Sequence, residues 1–191
     1  SDLLKQGFRR IIFCTGYMSD HIEGYFKKLS KPKDVVFEFS REEKPLGTGG
    51  AVKKALKFVK SEKFFVINGD TFSNLDFNGF YFHQRDKESP LSIALVERRF
   101  SNGQGNVLLV KNDLIADFEE DFKASKDGFA NAGSYLMSKD IKKYFPEGEA
   151  FSLENDLFPK LAGKAHGFVF DGKFLDIGTP ERLTSAESFF S

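Results

Sequence analysis

Short apolar runs alternate with stretches of helical spacing along the whole chain, and this alternation constrains the fold more than any other feature. Residues 9–15, 35–40, 64–67 and 91–97 read as strands. Between them, residues 19–29, 51–59 and 77–87 carry apolar side chains at helical intervals. Ile22, Phe26 and Leu29 share one face of the first helix, with Ser19 or Asp20 as its cap. Val52, Ala55, Leu56 and Val59 share a face of the second. Farther on, two short strands between Gly105 and Phe118 flank the turn Lys111-Asn112-Asp113, and residues 132–137 form another strand. Residues 139–145 and 153–161 read as helices, the second with Pro159 in its last turn or at a kink. Residues 167–175 are the last strand region, and Thr179 caps a closing helix over 180–189. Strand–helix alternation of this kind predicts an α/β fold with a mainly parallel mixed sheet and helices on both faces. Residues 2–6 look like the tail of a helix stopped by Gly7, so the chain opens inside an element.

At 191 residues the chain has the length of one domain with a real core. Basic and acidic residues balance at 28 each, which gives no net basic surface for nucleic acid or an anionic membrane. Cys14 is the one cysteine, so an internal disulfide and a cysteine-based zinc cluster are both excluded. Its place in Ile11-Ile12-Phe13-Cys14 predicts a buried strand residue. No run reaches the roughly 18 apolar residues of a membrane-spanning helix. No signal-peptide pattern opens the chain, and the cytoplasm is the expected compartment. The 24 phenylalanines, with no tryptophan, read as core filling.

Two aspartates follow apolar runs. Asp70 stands in Asn68-Gly69-Asp70-Thr71 after residues 64–67, and Asp176 in Phe174-Leu175-Asp176-Ile177-Gly178-Thr179-Pro180. Either could be a turn residue bonding its own backbone. In α/β sheets, however, ligands bind outside the carboxyl ends of strands, where two such carboxylates can meet on one divalent cation. Mg²⁺ is commonly held by one or two carboxylates together with substrate phosphates. Pro45-Leu46-Gly47-Thr48-Gly49-Gly50-Ala51 and its following helix precede Asp70, and Asn131-Ala132-Gly133 lies between the two aspartates. The glycines are a plain strand-to-helix turn or a loop where backbone approaches a ligand, with free N–H groups at the helix start. It is not a Walker A loop, since Ala51 and Val52 stand where Lys and Ser/Thr are needed. Asn131-Ala132-Gly133 is a β-bulge or a place for a ligand against the backbone. Ser152 can cap a helix, with Glu154 either a first-turn residue suited to the helix dipole or an acceptor for sugar hydroxyls. His21, His83 and His166 lack metal-ligand spacing and read as surface or helix residues.

The ordered set PLGTGGA, NGDTF, NAGSYL, FSLENDLFP and FLDIGTPERL resembles the sugar-1-phosphate nucleotidylyltransferases over essentially the whole chain. The likeness is greatest to the heptose 1-phosphate and mannose-1-phosphate guanylyltransferase branch. The resemblance implies a Rossmann-like nucleotide-diphospho-sugar transferase fold. It implies transfer of a nucleotidyl group from a nucleoside triphosphate, GTP favoured, to a heptose or hexose 1-phosphate. On that reading Asp70 and Asp176 are catalytic and hold Mg²⁺. Leu46, Gly47, Thr48, Gly50 and Gly69 lie against the nucleotide. Asn131, Ala132 and Gly133 line the sugar pocket, and Glu154 grips sugar hydroxyls.

Two features depart from the family pattern. Its G-G-x-G-T-R-L loop, which clamps the triphosphate, would precede Gly16-Tyr17, and the expectation is that the chain starts after it and after the first, central strand. A sheet short of that strand would expose apolar edges and favour a homo-oligomer. The family's F-x-E-K stretch corresponds to Phe118-Glu119-Glu120-Asp121, with an acid in place of the lysine and Lys123 as a substitute. Two other readings follow: a non-catalytic module that binds nucleotide sugar, and a glycosyltransferase of related fold. Of the Asp-x-Asp motif usual in the latter, Asn68-Gly69-Asp70 gives half.

Overall fold

The computed structural model describes residues 2–97, 107–119 and 128–190. Glu120, Asp121 and Lys123, the run compared with F-x-E-K, lie outside the described residues, as does Gly105. The chain gathers into two compact units, each discontinuous: Ser1–Glu62 with Lys142–Lys160, and Lys63–Ile141 with Leu161–Ser191.

In the first unit, α1 (Asp2–Lys5) leads to β1 (Arg10–Thr15), α2 (Ser19–Lys28), β2 (Val36–Arg41) and α3 (Gly47–Ala55). β1 and β2 are parallel, from Arg10 opposite Val36 to Thr15 opposite Arg41. The phenylalanines do the packing here. Phe13 stacks on Phe26 of α2 with ring centroids 4.0 Å apart and also meets Phe37 and Phe39. Of the three residues expected on the apolar face of α2, only Phe26 is packed in this way; Ile22 and Leu29 are exposed. The cap differs as well. Met18 stands at the N-cap in the left-handed region, φ 56°, with no side-chain hydrogen bond, and Ser19 is already helical. Cys14 is exposed, with Sγ 3.7 Å from the Ala51 carbonyl oxygen, which corrects the buried reading. One helical turn, Leu56–Phe58, continues α3 in tighter 3₁₀ form, short of the expected end at 59.

The second unit holds β3 (Lys63–Ile67), β4 (Thr71–Ser73), α4 (Phe77–Gln84), β5 (Leu91–Glu97), β6 (Val107–Lys111), β7 (Leu114–Glu119), β8 (Phe129–Ser138), β9 (His166–Val169), β10 (Phe174–Asp176) and α5 (Pro180–Phe190). Six strands form one sheet in the order β3-β8-β5-β9-β7-β6. β3, β5, β6 and β9 run in one direction and β7 and β8 in the other. The mainly parallel character therefore lies in strand direction. Because β8 lies between β3 and β5, and β7 between β9 and β6, most hydrogen-bonded neighbours are antiparallel, which the alternation of elements did not foretell.

β5 is buried from Leu91 to Val96, as a strand covered on both faces must be. On one side α4 supplies Phe77 and Phe80, and Phe80 stacks on Phe168 of β9 at 4.9 Å. Buried Gln84 at the end of α4 donates to the Gly167 carbonyl at 3.2 Å and accepts from Ser92 Oγ at 3.3 Å, so its amide is satisfied. Asp76 caps α4 by accepting from the Asn78 N–H at 3.0 Å. The expected last strand region is two short strands, β9 in the main sheet and β10 paired antiparallel with β4. Among the described residues no helix is long and apolar enough to cross a membrane.

Candidate functional site

The glycine-rich segment proves to be the first turns of α3, not a loop ahead of it. Its glycines are required by packing against residues 149–151. Gly47 has φ +71°, and a Cβ there would lie 2.6 Å from the Phe151 carbonyl oxygen. A Cβ on Gly49 would sit 2.2 Å from the Phe151 ring, and one on Gly50 would sit 2.2 Å from the Glu149 carbonyl oxygen. No side chain fits at those separations. The Phe151 carbonyl in turn accepts the N–H groups of Gly49 and Gly50, at 2.9 and 3.2 Å, while the Phe151 N–H donates to the Leu46 carbonyl at 2.9 Å. Those two helix-start N–H groups are thus spent within the protein. The free anion-binding donors expected from the sequence are not there at Gly49 and Gly50.

Leu46 is buried, and its N–H donates to Glu42 Oε2 at 3.0 Å. Glu42 thereby braces the turn from β2 into α3. Lys44 pairs with Glu149 at 2.9 Å on the surface, which holds the Lys44 ammonium above and the Glu149 carboxyl below their ordinary ranges, through hydrogen bonding first and charge second. Ser152 caps the π-helical turn Leu153–Leu157, its Oγ accepting from the N–H groups of Glu154 and Asn155. Asp156 reaches back to the Ser152 N–H at 2.7 Å. Thr48 Oγ1 and Glu154 Oε2 are 2.8 Å apart.

In the second unit the aspartates meet because β4 and β10 pair. Asp176 stands opposite Thr71, and the Ile177 N–H donates to the Asp70 carbonyl at 2.8 Å. A Cβ placed on Gly178 would lie 3.0 Å from Asp70 Oδ2 and 3.1 Å from Asp176 Oδ1, so both carboxylates border one small space that a glycine keeps open. Asp70 and Gly69 are exposed, and nothing lies within 4 Å of a Cβ on Gly69. Asp176 is more enclosed: Oδ1 accepts the Gly178 N–H and Oδ2 accepts from Arg182 Nη1, each at 2.8 Å. Arg182 arrives there because Pro180 begins α5 and Thr179 Oγ1 accepts the Arg182 N–H at 3.4 Å.

Asn131, Ala132 and Gly133 form a bulge in β8, where the register against β5 passes from Ile93–Tyr135 to Leu95–Asn131. Gly133 has φ +65° and comes against Thr71 and Asn68; a Cβ there would be 2.9 Å from Thr71 Oγ1. The Asn68 N–H donates to the Gly133 carbonyl at 2.8 Å. Asn131 is fixed from both ends, its Nδ2 donating to Tyr135 Oη and its Oδ1 accepting the Gly133 N–H, each at 2.9 Å. Ala132 is fully buried. The bulge therefore seats Asn131–Gly133 beside the Asn68–Thr71 turn.

The sequence profile of the nucleotidyl transferase family matches residues 1–191. The chain belongs to the nucleotidyl transferase family. Among its relatives is the D-glycero-alpha-D-manno-heptose 1-phosphate guanylyltransferase of Campylobacter jejuni, 40% identical over 183 residues, covering 94% of this chain and 78% of that protein. The enzyme of the same name from Aneurinibacillus thermoaerophilus is 33% identical, covering 97% and 80%. The crystal structure of HddC from Yersinia pseudotuberculosis complexed with GMP-PN matches with a TM-score of 0.83 and 35% identity, over 99% of this chain and 82% of that one.

Within this nucleotidyl transferase, the predicted residues thus fall into two clusters. Leu46, Gly47, Thr48, Gly50 and Glu154 gather in the first unit, and Gly69, Asp70, Asn131, Ala132, Gly133 and Asp176 in the second. Among the described residues, no group of three or more His, Cys, Asp or Glu side chains is placed to hold a metal ion. A cation between Asp70 and Asp176 would take its remaining ligands from phosphate and water, the usual arrangement for Mg²⁺. The donor set fits that ion: two hard oxygen carboxylates flanking an open space. Three residues escaped the sequence reading. Phe151 acts on α3 from about a hundred residues away and bears no local signal, and Glu42 acts through a hydrogen bond to Leu46 four residues on that no motif marks. Arg182, six residues after Asp176, does follow from helical geometry once Thr179 is taken as the cap.

Proposed function

We propose that the chain transfers a guanylyl group from GTP to a heptose or mannose-type sugar 1-phosphate, releasing pyrophosphate. The observation that carries this is the convergence of Asp70 and Asp176 on the space kept open by Gly178. The names of the C. jejuni and A. thermoaerophilus relatives support guanylyl and heptose as the transferred group and the acceptor. The sugar-phosphate oxygen attacks the α-phosphorus of the triphosphate, and the pyrophosphate leaves from the opposite side. The attacking oxygen is already anionic, so no side chain has to remove a proton. What remains is alignment and charge neutralisation.

Asp70 and Asp176 would hold Mg²⁺. When bound, that ion supplies positive charge to the phosphate oxygens. Arg182 orients Asp176, keeping Oδ2 fixed while Oδ1 faces Asp70. The Leu46–Gly50 segment lies against the guanine, with Gly69 leaving room for the nucleotide. The β8 bulge sets Asn131 and Gly133 beside the sugar, and Glu154 accepts from its hydroxyls. The cytoplasm, where GTP is available, is the compartment we assign; the absence of a membrane-spanning helix among the described residues supports it.

The test is pyrophosphate release with Mg²⁺, the four nucleoside triphosphates and a panel of heptose and hexose 1-phosphates. Release with GTP that disappears in Asp176→Asn is the expected result. A folded chain that binds nucleotide sugar yet releases no pyrophosphate with any pair would overturn the proposal in favour of a binding module.

A further inference from the structure

Thr48 sits at the start of α3, within the segment read as the base site, yet its hydroxyl is wholly committed elsewhere. It accepts the Leu153 N–H at 2.8 Å and donates to Glu154 Oε2 at 2.8 Å. Ser152 Oγ donates to the same carboxylate oxygen at 2.9 Å while accepting the N–H groups of Glu154 and Asn155 at 3.1 and 3.2 Å. A hydroxyl has one hydrogen to give. Thr48 and Ser152 both give theirs to Glu154 Oε2, so neither has a donor left for a base edge. The carboxylate is held by two donors from two directions, and none of these contacts engages Oε1.

We infer that Thr48 is a positioning residue for the sugar 1-phosphate, acting through Glu154, and that the clamp of Thr48, Ser152 and Glu154 makes base and sugar binding interdependent. The inference rests on the reading of Glu154 as the sugar-binding carboxylate. The start of α3 is joined to the 145–151 segment by the Gly49, Gly50 and Leu46 hydrogen bonds to Phe151. Any shift of α3 on nucleotide binding therefore moves the Thr48 hydroxyl, and with it the oxygen that fixes Glu154. Coupling of this kind is reciprocal: sugar phosphate tightens nucleotide binding by the same factor that nucleotide tightens sugar phosphate.

The experiment measures KM and kcat for GTP and for the best sugar 1-phosphate in Thr48→Val, Thr48→Ser and Glu154→Gln. A charge-assisted hydrogen bond is worth enough that its loss raises KM for the sugar 1-phosphate on the order of tenfold in Thr48→Val. The Kd for GTP measured without sugar phosphate should stay within about twofold, and Thr48→Ser should recover most of the loss. Calorimetry adds a second readout: in the wild type GTP and the sugar phosphate bind with mutual enhancement, and in Thr48→Val that enhancement disappears. Should Thr48→Val fail to fold, Thr48→Cys, a weaker donor of similar reach, carries the same comparison. A Kd for GTP alone that rises as much as the sugar KM would place Thr48 on the base and overturn the inference. An unchanged sugar KM in Thr48→Val beside a raised one in Glu154→Gln would also overturn it, leaving the sugar role of Glu154 intact. An unchanged sugar KM in Glu154→Gln would instead remove the site assignment on which it rests.

Discussion

The glycine-rich start of α3 and the aspartate pair are built in opposite ways. Around α3, the groups are satisfied by other protein groups: the Phe151 carbonyl takes two N–H bonds, Leu46 is braced by Glu42, and Thr48 and Ser152 clamp Glu154. Around Gly178 two carboxylates border an open space, one exposed and the other balanced by a single arginine. The first region is finished before any ligand arrives. The second is left incomplete, with charge directed at something to come. A rigid recognition surface and an electrostatically unfinished centre are what a group-transfer enzyme needs, since preorganised contacts set orientation while charge is neutralised only with substrate present.

Substitution should separate the two regions. The largest effect is expected in Asp176→Asn, which removes a charge from the open centre: pyrophosphate release falls on the order of 10³-fold, while the folded state survives. Circular dichroism and thermal melting beside the assay check both halves of that statement. Gly50→Ala should do the reverse. Its new methyl group meets the Glu149 backbone at 2.2 Å, and backbone cannot rotate away. A loss of about 1–3 kcal/mol in denaturant unfolding is expected, with activity falling only as far as the fold does. Gly69→Ala is the control, because open space surrounds Gly69, and its stability should change by no more than about 0.5 kcal/mol. If Gly69→Ala unfolds the chain as readily as Gly50→Ala, the contrast between the regions is wrong.

Chelation sharpens the same comparison. EDTA should abolish pyrophosphate release, yet leave Tm unchanged to within about 1 °C, since protein groups alone complete the first region and Arg182 already balances Asp176. A marked fall in Tm would mean that the aspartate pair is a structural metal site. The smallest effect concerns neither region. His166 in β9 has a lowered pKa, because burial disfavours its charged form, with Lys87 adding to the shift, Asp113 opposing it and His83 adding slightly. The folded pKa lies below the unfolded one, so the unfolded chain binds the extra proton first. Stability on this account is full above about pH 6.5 and declines as pH falls from there toward the folded pKa. His166→Gln should flatten that part of a stability–pH curve, measured by urea unfolding between pH 5 and 7.

What the sequence revealed was local. The strands β1, β3 and β5 are legible because each is mainly an apolar run, though only β5 is buried along nearly all its length, and Ser152 is legible as a cap because its partners lie two and three residues away. Asp70 and Asp176 could be seen at strand ends, but not the ladder that joins them. β4 and β10 have three residues each, too few to show a period. The glycines of α3 were visible as a signal of close approach, whereas what approaches them is Phe151, a hundred residues away. Met18 at the head of α2 escaped because nothing in a methionine announces a left-handed backbone. Ile22 and Leu29 repeat at helical spacing and still face solvent, since spacing tells which residues share a face and not whether that face is covered.

The bond from Gly49 and Gly50 to Phe151 also bears on how the chain is made. The first unit consists of residues before Lys63 and after Ile141, so the stretch 63–141 is synthesised between the helix and the carbonyl that completes it. During translation α3 emerges early, with its glycine-rich start lacking its partner, and waits until the 142–160 segment has left the ribosome. Long-range closure of this kind is slow and leaves apolar surface open meanwhile. Glycine, the poorest helix former apart from proline, stands at the very turns that must wait. The helix is thus made well before the segment that finishes it.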